Sequence, residues 1–350
     1  ESSPAFKSML PVDGSTAQEL LNGFGRGAVV SYRAAHGKVQ AIALSRVGTA
    51  VKEVGSTGKI FGLANQYREA LAVSAQDKKT KTDHSAGHFL REKILDPFIG
   101  DLTGVGRYAI IAPPELLQFP LTAMPEQAEG LRWLADIRQV TGSPTVATLQ
   151  RKLRDVGADT YKLDYLAFGA DAPPPQENEL TDFEAPDELK ICGRYFRSGF
   201  DEVLVGEAAT LETWKAKAEN ARYIHIADIG PALNGGFQLA DGALSLDEVR
   251  NTRLHAELVV ITGRTTTEQQ LRRARAFMDA GARWVIVSGW FVPDRTRVKY
   301  LSNIFDSMNQ ERPPVRALSE GRNALFRDAL MGVDLDDPAL WGGLTLFGKP

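Results

Sequence analysis

The sequence contains a single cysteine, Cys192, and five histidines among its 350 residues. One cysteine excludes an intrachain disulfide, a cysteine-rich zinc site and a CxxC redox pair. His84 and His88 have the i,i+4 spacing of helical metal ligands, but no acidic residue lies between them. A solvated loop leading into a helix is therefore favoured over a metal site. The sequence predicts no metal and no cofactor.

Long apolar runs and an excess of one charge are also missing. No run approaches the roughly 18 apolar residues that cross a bilayer. Lys and Arg number 41 against 44 Asp and Glu, a net charge of −3, so no global basic surface favours nucleic acid. Two basic stretches, 78–81 and 272–275, lack the interleaved aromatic residues of a nucleic-acid site.

The amino terminus carries no recognisable targeting signal. It begins Glu1-Ser2-Ser3-Pro4, without a basic stretch followed by an apolar one, so no signal peptide is predicted. It also lacks an initiator methionine. We therefore expect the chain to be a piece of a longer protein.

Two kinds of periodicity indicate a mixed fold. Strand-like runs at 28–33 and 39–44, separated by a turn, predict a β-hairpin that a third run at 48–54 extends. Five short apolar runs follow further along the chain, and helical spacing separates most of them. The runs are 108–112, 163–168, 223–227, 257–261 and 284–288, and the helical stretches between them are 145–156, 209–219, 267–280 and 294–309.

This alternation predicts an α/β fold: a mainly parallel central sheet with helices on both faces, plus an N-terminal β-hairpin. We expect 1–27 to be an N-terminal extension and 28–350 to be one domain. The stretch 170–190, rich in Pro, Asp and Glu, is a possible linker between two halves of that domain. Ligand-binding and catalytic sites of parallel sheets form at the carboxyl ends of the strands. We therefore expect the functional site at 228–230 and 262–265.

Four segments follow one another in the order of a known family: the hairpin 28–44, Ala112–Ala123, Ala280–Trp290 and Pro338–Gly348. In this order they resemble the CHAT family, caspase-like domains of the cysteine peptidases that include caspases, gingipains and separase. The resemblance extends over about 20–348. It implies a caspase-like fold, and it implies a bacterial, cytoplasmic module of the kind often attached to helical repeats.

The departures from this family concern its catalytic dyad. The family's histidine segment, H-x-A-[TC]-H-G, is matched by His225-Ile226-Ala227-Asp228-Ile229-Gly230, so the general base falls on Ile229. The family's nucleophilic cysteine falls on Arg264. Isoleucine accepts no proton, and a guanidinium is not a nucleophile. The resemblance therefore implies a pseudopeptidase, not an enzyme.

Other residues could serve as nucleophile or general base in place of the missing dyad. Cys192 or Thr265, the latter with Asp228 as base, would make a hydrolase with a relocated site. His225 is either a hydrogen-bonded core histidine, which is favoured, or a displaced base. The threonines before Glu268 more simply predict a helix cap.

The predicted function is the binding of a protein or peptide partner through the former cleft. Its candidate binding residues are Asp228, Ile229, Arg264 and Thr265. Arg264 either is a solvated loop charge or pairs with Asp228 and closes the cleft. The edge of the hairpin at 28–54 is an alternative binding surface.

Overall fold

The computed structural model describes most of the chain, and it divides into two compact units. Glu1–Lys152 and Phe347–Pro350 belong to the first unit, and Leu153–Leu346 to the second. No helix in the described part is long and apolar enough to cross a bilayer. The described residues are 27–76, 80–102, 104–119, 121–127, 133–143, 149, 161–170, 185–227, 229–232, 235–263, 266–289, 292, 294–327 and 337–348.

The first unit contains a mixed sheet in the order β3-β2-β1-β4-β5. The β1–β2 hairpin is antiparallel and turns at His36 and Gly37, whose φ angles of 53° and 75° suit a two-residue hairpin turn. β1, β4 and β5 are parallel to one another. The strands are β1 (Gly27–Ala35), β2 (Lys38–Ser45), β3 (Thr49–Ser56), β4 (Arg107–Ile111) and β5 (Gln139–Ser143).

Helices pack closely in the first unit. The Tyr67 ring is fully buried, and its hydroxyl contacts His84 Nδ1 at 3.0 Å and donates to the Ala123 carbonyl at 3.1 Å. His84 precedes a helix, as predicted, but the predicted solvated loop is wrong: His84 is half-buried, with its ring 4.7 Å from that of Trp133, and His88 lies within the helix. The helices are α1 (Thr57–Gln76), α2 (Ser85–Ile94), α3 (Pro114–Leu117) and α4 (Leu134–Ile137).

The second unit contains the parallel neighbours β12-β11-β8-β6-β7, and the first three residues of β13 follow β12 in the strand order. β9 and β10 form a separate antiparallel pair. The strands are β6 (Leu163–Gly169), β7 (Asp201–Val205), β8 (Ala221–Ala227), β9 (Phe237–Leu239), β10 (Gly242–Leu244), β11 (Leu258–Thr262), β12 (Trp284–Ser288) and β13 (Leu344–Gly348).

Helices cover both faces of this parallel sheet. Side chains alternate between the faces along a strand, so Tyr165 and Phe168 on β6 point to opposite sides. Tyr165 contacts the ring of Phe305, whereas Phe168 contacts that of Trp214. The helices are α5 (Ala185–Gly193), α6 (Leu211–Lys217), α7 (Leu246–Asn251), α8 (Thr267–Ala280), α9 (Asp294–Asn309) and α10 (Pro314–Arg327). α5 and α9 lie on the Tyr165 side, and α6 and α8 lie on the Phe168 side.

The predicted fold is confirmed: a mainly parallel α/β sheet with helices on both faces and an N-terminal hairpin. His225 and Val260 pair on adjacent parallel strands, as the fold requires. The strands β5, β7, β9, β10 and β13 were not predicted. Ala185–Gly193 forms α5, so helix replaces loop at the end of the stretch 170–190. The helix predicted at 145–156 falls almost wholly outside the described residues.

A close contact in the first unit gives a stability prediction. A Cβ added at Gly87 would lie 2.5 Å from Tyr67 Cε1, whereas one added at Gly62, in the neighbouring helix, would meet nothing within 4 Å. We expect Gly87→Ala to lower the free energy of unfolding by about 1–3 kcal/mol through overpacking. Gly62→Ala should raise it by about 0.5–1 kcal/mol, because alanine favours a helix. Urea unfolding of both variants tests the contrast, and equal effects would contradict it.

Candidate functional site

The candidate site lies where β8 and β11 end. These strands are adjacent and parallel, and Ala227 pairs with Thr262 at their carboxyl ends. The segments that follow the two strands therefore start side by side. Three of the four predicted binding residues, Asp228, Arg264 and Thr265, lie outside the described residues. The fourth, Ile229, is buried, with 4% of its surface exposed.

The chain after β8 folds into a short hairpin that includes β9. The Gln238 amide donates to the Gly230 carbonyl at 3.0 Å, and the Gly235 amide donates to the Ala232 carbonyl at 2.9 Å. Gly235 has a φ of +75°. A Cβ at Gly236 would lie 2.1 Å from the Leu244 carbonyl oxygen, so only glycine fits there. The backbone next to Ile229 is thus tightly constrained.

A buried arginine on α8 holds this hairpin. Arg273 is 1% exposed; its Nε donates to the Gly235 carbonyl at 3.1 Å, and its Nη2 donates to the Gly236 carbonyl at 2.6 Å. Its guanidinium carbon lies 4.1 Å from the centre of the Phe237 ring. Burial lowers the pKa of Arg273 to about 10, so the group remains charged at neutral pH. Among the described residues, this cation is stabilised by carbonyl dipoles and a ring face, with no carboxylate acting on its pKa.

The segment after β11 leads directly into α8. Thr266 caps that helix, because its hydroxyl accepts the Gln269 amide at 3.3 Å and the Gln269 side chain bonds back. The predicted threonine cap is confirmed. The residue that completes the capping box is Gln269 and not the neighbouring Glu268. Glu268 instead forms an ion pair with Arg272. Thr267 donates its hydroxyl to the Gly289 carbonyl at 2.6 Å.

The His225 side chain is buried in the core, on the face of β8 that packs against α5. It is 0% exposed, its Nε2 lies 2.8 Å from Glu188 Oε1, and its Nδ1 lies 2.8 Å from the Tyr165 hydroxyl. Both ring nitrogens are therefore occupied by protein groups. The prediction of a hydrogen-bonded core histidine is confirmed, and this geometry gives no route to a substrate.

The partner of His225 is a buried carboxylate that connects four elements. Glu188 on α5 is 0% exposed; besides His225, it accepts the Thr262 hydroxyl at 2.6 Å and Arg297 Nε at 2.6 Å. Burial alone would raise the pKa of Glu188. Arg297, His225 and Thr262 outweigh burial and lower the pKa to about 2. Glu188 is therefore an anion at all physiological pH values.

Cys192 lies one helical turn after Glu188 on α5. It is fully buried, and burial together with the Glu188 charge raises the pKa of its thiol well above the usual value. A thiol of this kind is protonated and shielded, whereas a catalytic cysteine needs an accessible thiolate. Among the described residues, no group of three His, Cys, Asp or Glu side chains could hold a metal.

The family model of the CHAT domain matches residues 85–349. The chain belongs to the CHAT domain family. The match begins after the β1–β3 hairpin and includes the ends of β8 and β11. No curated protein sequence matches this chain.

Solved structures of separase and of gingipain R are similar to this chain. Two structures of the Saccharomyces cerevisiae separase–securin complex match with TM-scores of 0.56 and 0.57 at 10% and 11% identity, covering 96% of this chain. The chain spans 31% of those separase chains. The Arg-specific cysteine proteinase gingipain R matches with a TM-score of 0.50 at 10% identity, over 82% of this chain and 74% of that one. At these identities the likeness shows the caspase-like fold alone.

Sequence reasoning missed Glu188, Arg297 and Arg273. Glu188 falls in a stretch predicted as a linker, and Arg297 falls on a helix whose charges suggest a solvated face. The only available signal was His225 itself, because a histidine inside an apolar strand needs a buried polar partner. Arg273 was placed in a basic run, yet the helix separates it from Arg272 and Arg275, which pair with Glu268 and Asp279.

The buried carboxylate gives a prediction on stability and pH. We expect Glu188→Gln to lower the free energy of unfolding at pH 7 by about 3 kcal/mol, because Arg297 loses its counter-charge. Glu268→Gln, which removes an exposed carboxylate, should change it by less than about 0.5 kcal/mol. Chemical denaturation measures both.

The pH profile tests the same carboxylate. A lowered pKa stabilises the folded state fully above the unfolded value, near 4.5, and this contribution is lost as pH falls towards about 2. The wild type should therefore lose more stability than Glu188→Gln between pH 4.5 and 2. Parallel profiles for the two proteins would contradict the assignment.

Arg273, which holds the hairpin that includes β9, gives a prediction on local dynamics. Arg273→Met removes two hydrogen bonds to carbonyls, so amides in 235–240 should exchange with deuterium roughly tenfold faster. Arg272→Met, at the neighbouring exposed position, is the matched control and should leave these rates unchanged. Equal acceleration in both variants would show that Arg273 does not hold the hairpin.

Proposed function

We propose that this CHAT domain is a pseudopeptidase that binds a protein partner. The observation that carries the proposal is the buried Ile229 at the position where the family motif has its general base. A thiol peptidase needs an imidazole there to activate the cysteine and to protonate the leaving amine. An aliphatic side chain supplies neither function. Arg264, at the nucleophile position, supplies no thiol.

The other reactive groups are either buried or hydrogen-bonded within the fold, which supports the same proposal. His225 is held between Glu188 and Tyr165, and Cys192 is fully buried on α5. The hydroxyls of Thr266 and Thr267 are engaged in the cap and on Gly289. Restoring chemistry at His225 or Cys192 would require the sheet and α5 to separate.

The alternative is a hydrolase with a relocated site, which would use Thr265 with Asp228, or Cys192. Thr265 is the stronger candidate nucleophile, because it directly precedes Thr266, which caps the helix that follows β11. The burial and raised pKa of Cys192 count against the thiol.

Peptide turnover separates the two proposals. We expect no cleavage of a broad peptide library by the purified chain. If cleavage occurs, loss in Thr265→Ala with retention in Cys192→Ala would establish the threonine hydrolase and reject the pseudopeptidase. Loss in Cys192→Ala alone would establish a relocated cysteine site.

A protein partner fits what the scaffold retains. The caspase-like sheet keeps its paired strands β8 and β11, and backbone hydrogen bonds to an extended peptide need neither Cys nor His. The matched separase structures are complexes with a protein, securin, which supports a protein as the partner class. The proposed contact residues are Asp228, Ile229, Arg264 and Thr265.

Affinity capture with variant baits tests this surface. Arg264→Glu should reduce the recovery of the main captured protein at least about fivefold, the scale of an interface anchor. Val51→Arg, an apolar residue exposed on β3, tests the hairpin edge and should have no effect. The opposite pattern would move the binding surface from the cleft to the hairpin.

A further inference from the structure

A row of charged side chains crosses the second unit at the amino-terminal margin of its parallel strands. Asp164 on β6 and Arg222 on β8 lie in neighbouring positions, because Tyr165 pairs with Tyr223 one residue later. The Glu257 amide donates to the Arg222 carbonyl at 2.7 Å, and the Trp284 amide donates to the Glu257 carbonyl, which places Arg283 next in the row. Side chains of one row share a face of the sheet. This margin is the one opposite to the ends of β8 and β11.

Short ion pairs organise the row. Arg197 holds Asp164 with two hydrogen bonds, of 2.7 Å and 3.2 Å, although its side chain is largely exposed. Arg222 Nε lies 2.7 Å from Glu257 Oε2, which also accepts the Tyr223 hydroxyl at 3.3 Å. These contacts fix where the guanidinium groups lie.

Each arginine of the row also lies over an aromatic ring. The guanidinium carbons are 4.4 Å from the ring centre of Phe200 for Arg197, 5.0 Å from that of Tyr223 for Arg222, and 5.4 Å from that of Trp284 for Arg283. Phe200 is 41% exposed, and Trp284 is half-buried. Stacked and ion-paired guanidiniums lose little freedom on binding a ligand.

The margin is cationic in a chain that is acidic overall. Lys162, Arg197, Arg222 and Arg283 give four positive charges, and Asp164, Asp201 and Glu257 give three negative ones, so the local net charge is 4 − 3 = +1. The whole chain has a net charge of −3. Arginine combined with aromatic residues is the composition enriched at the centre of protein interfaces.

We propose that this arginine–aromatic margin is a second interaction surface, which binds an acidic segment of a partner protein. Carboxylates of the partner would contact the outer N–H groups of the guanidiniums, and an apolar side chain would cover Phe200. The proposal is independent of the cleft, because the two margins lie at opposite ends of strand β8, about 20 Å apart at about 3.3 Å per residue.

The observations favour an acidic protein segment over a nucleic acid. Stacking of bases needs free aromatic faces, and here a guanidinium covers one face of each ring. The carboxylates of Asp164 and Glu257 also stand between the cations, which disfavours a continuous phosphate backbone. A polypeptide alternates carboxylate and apolar side chains, which suits this spacing.

The test uses the full chain and a fluorescein-labelled peptide of Glu-Glu-Phe repeats, followed by fluorescence anisotropy. We expect binding that weakens as salt rises from about 50 to about 300 mM. Arg197→Gln and Arg222→Gln should each weaken it at least about fivefold. Asp164→Asn should tighten it by about two- to threefold, because it removes a repelling charge. Circular dichroism checks that each variant is folded.

Two controls separate this surface from general charge and from the cleft. Arg316→Gln removes another exposed arginine with a 2.6 Å ion pair, to Glu320 on α10, and should leave binding unchanged. Arg264→Glu changes the cleft and should also leave it unchanged. The proposal is overturned by absence of binding, by equal losses in Arg316→Gln and Arg222→Gln, or by loss in Arg264→Glu. It is also overturned if labelled oligodeoxythymidine binds as tightly and shows the same losses.

Discussion

The second unit depends on the compensation of one buried negative charge. Glu188 lies between a helix and the sheet with no access to water, and an unpaired carboxylate in such a place costs several kcal/mol. The cost is offset only while Arg297, Thr262 and His225 remain in contact with it. The positions of α5 and α9 against β8 and β11 are therefore coupled through a single carboxylate.

This coupling explains why the histidine that the chain shares with the family motif is a scaffold residue. In β8 the side chains of Tyr223, His225 and Ala227 share the face that packs on α5 and α9. His225 therefore contributes to the scaffold, and its contacts with Glu188 and Tyr165 are those of a core residue. A general base would have to lie beyond the strand, where the chain has Ile229. Scaffold and chemistry thus occupy different positions of the same motif, and one can be lost while the other is kept.

The sequence predicted the central strands well, because a buried parallel strand is a short, almost purely apolar run, as in 223–227 and 284–288. It failed for β7, whose Asp201 and Glu202 begin an edge strand, and for β5, whose five residues include Gly142, a residue type that is depleted in strands. The helices at 267–280 and 294–309 followed from spacing and from the glycine at 281. The site was predicted less completely. Motif comparison located Ile229, but pairing across 109 residues, as between Glu188 and Arg297, leaves no local pattern.

The distance in sequence between Glu188 and Arg297 also has a consequence for synthesis on the ribosome. Glu188 leaves the exit tunnel 109 residues before the arginine that neutralises it. At about 5–20 residues per second this interval lasts roughly 5–20 s. During that time Glu188 lacks its counter-charge, so the packing of α5, including Leu189 and Cys192, against the sheet is weakened. The domain closes late, when α9 emerges, so a stalled or truncated chain that ends before residue 297 would be a target for proteolysis.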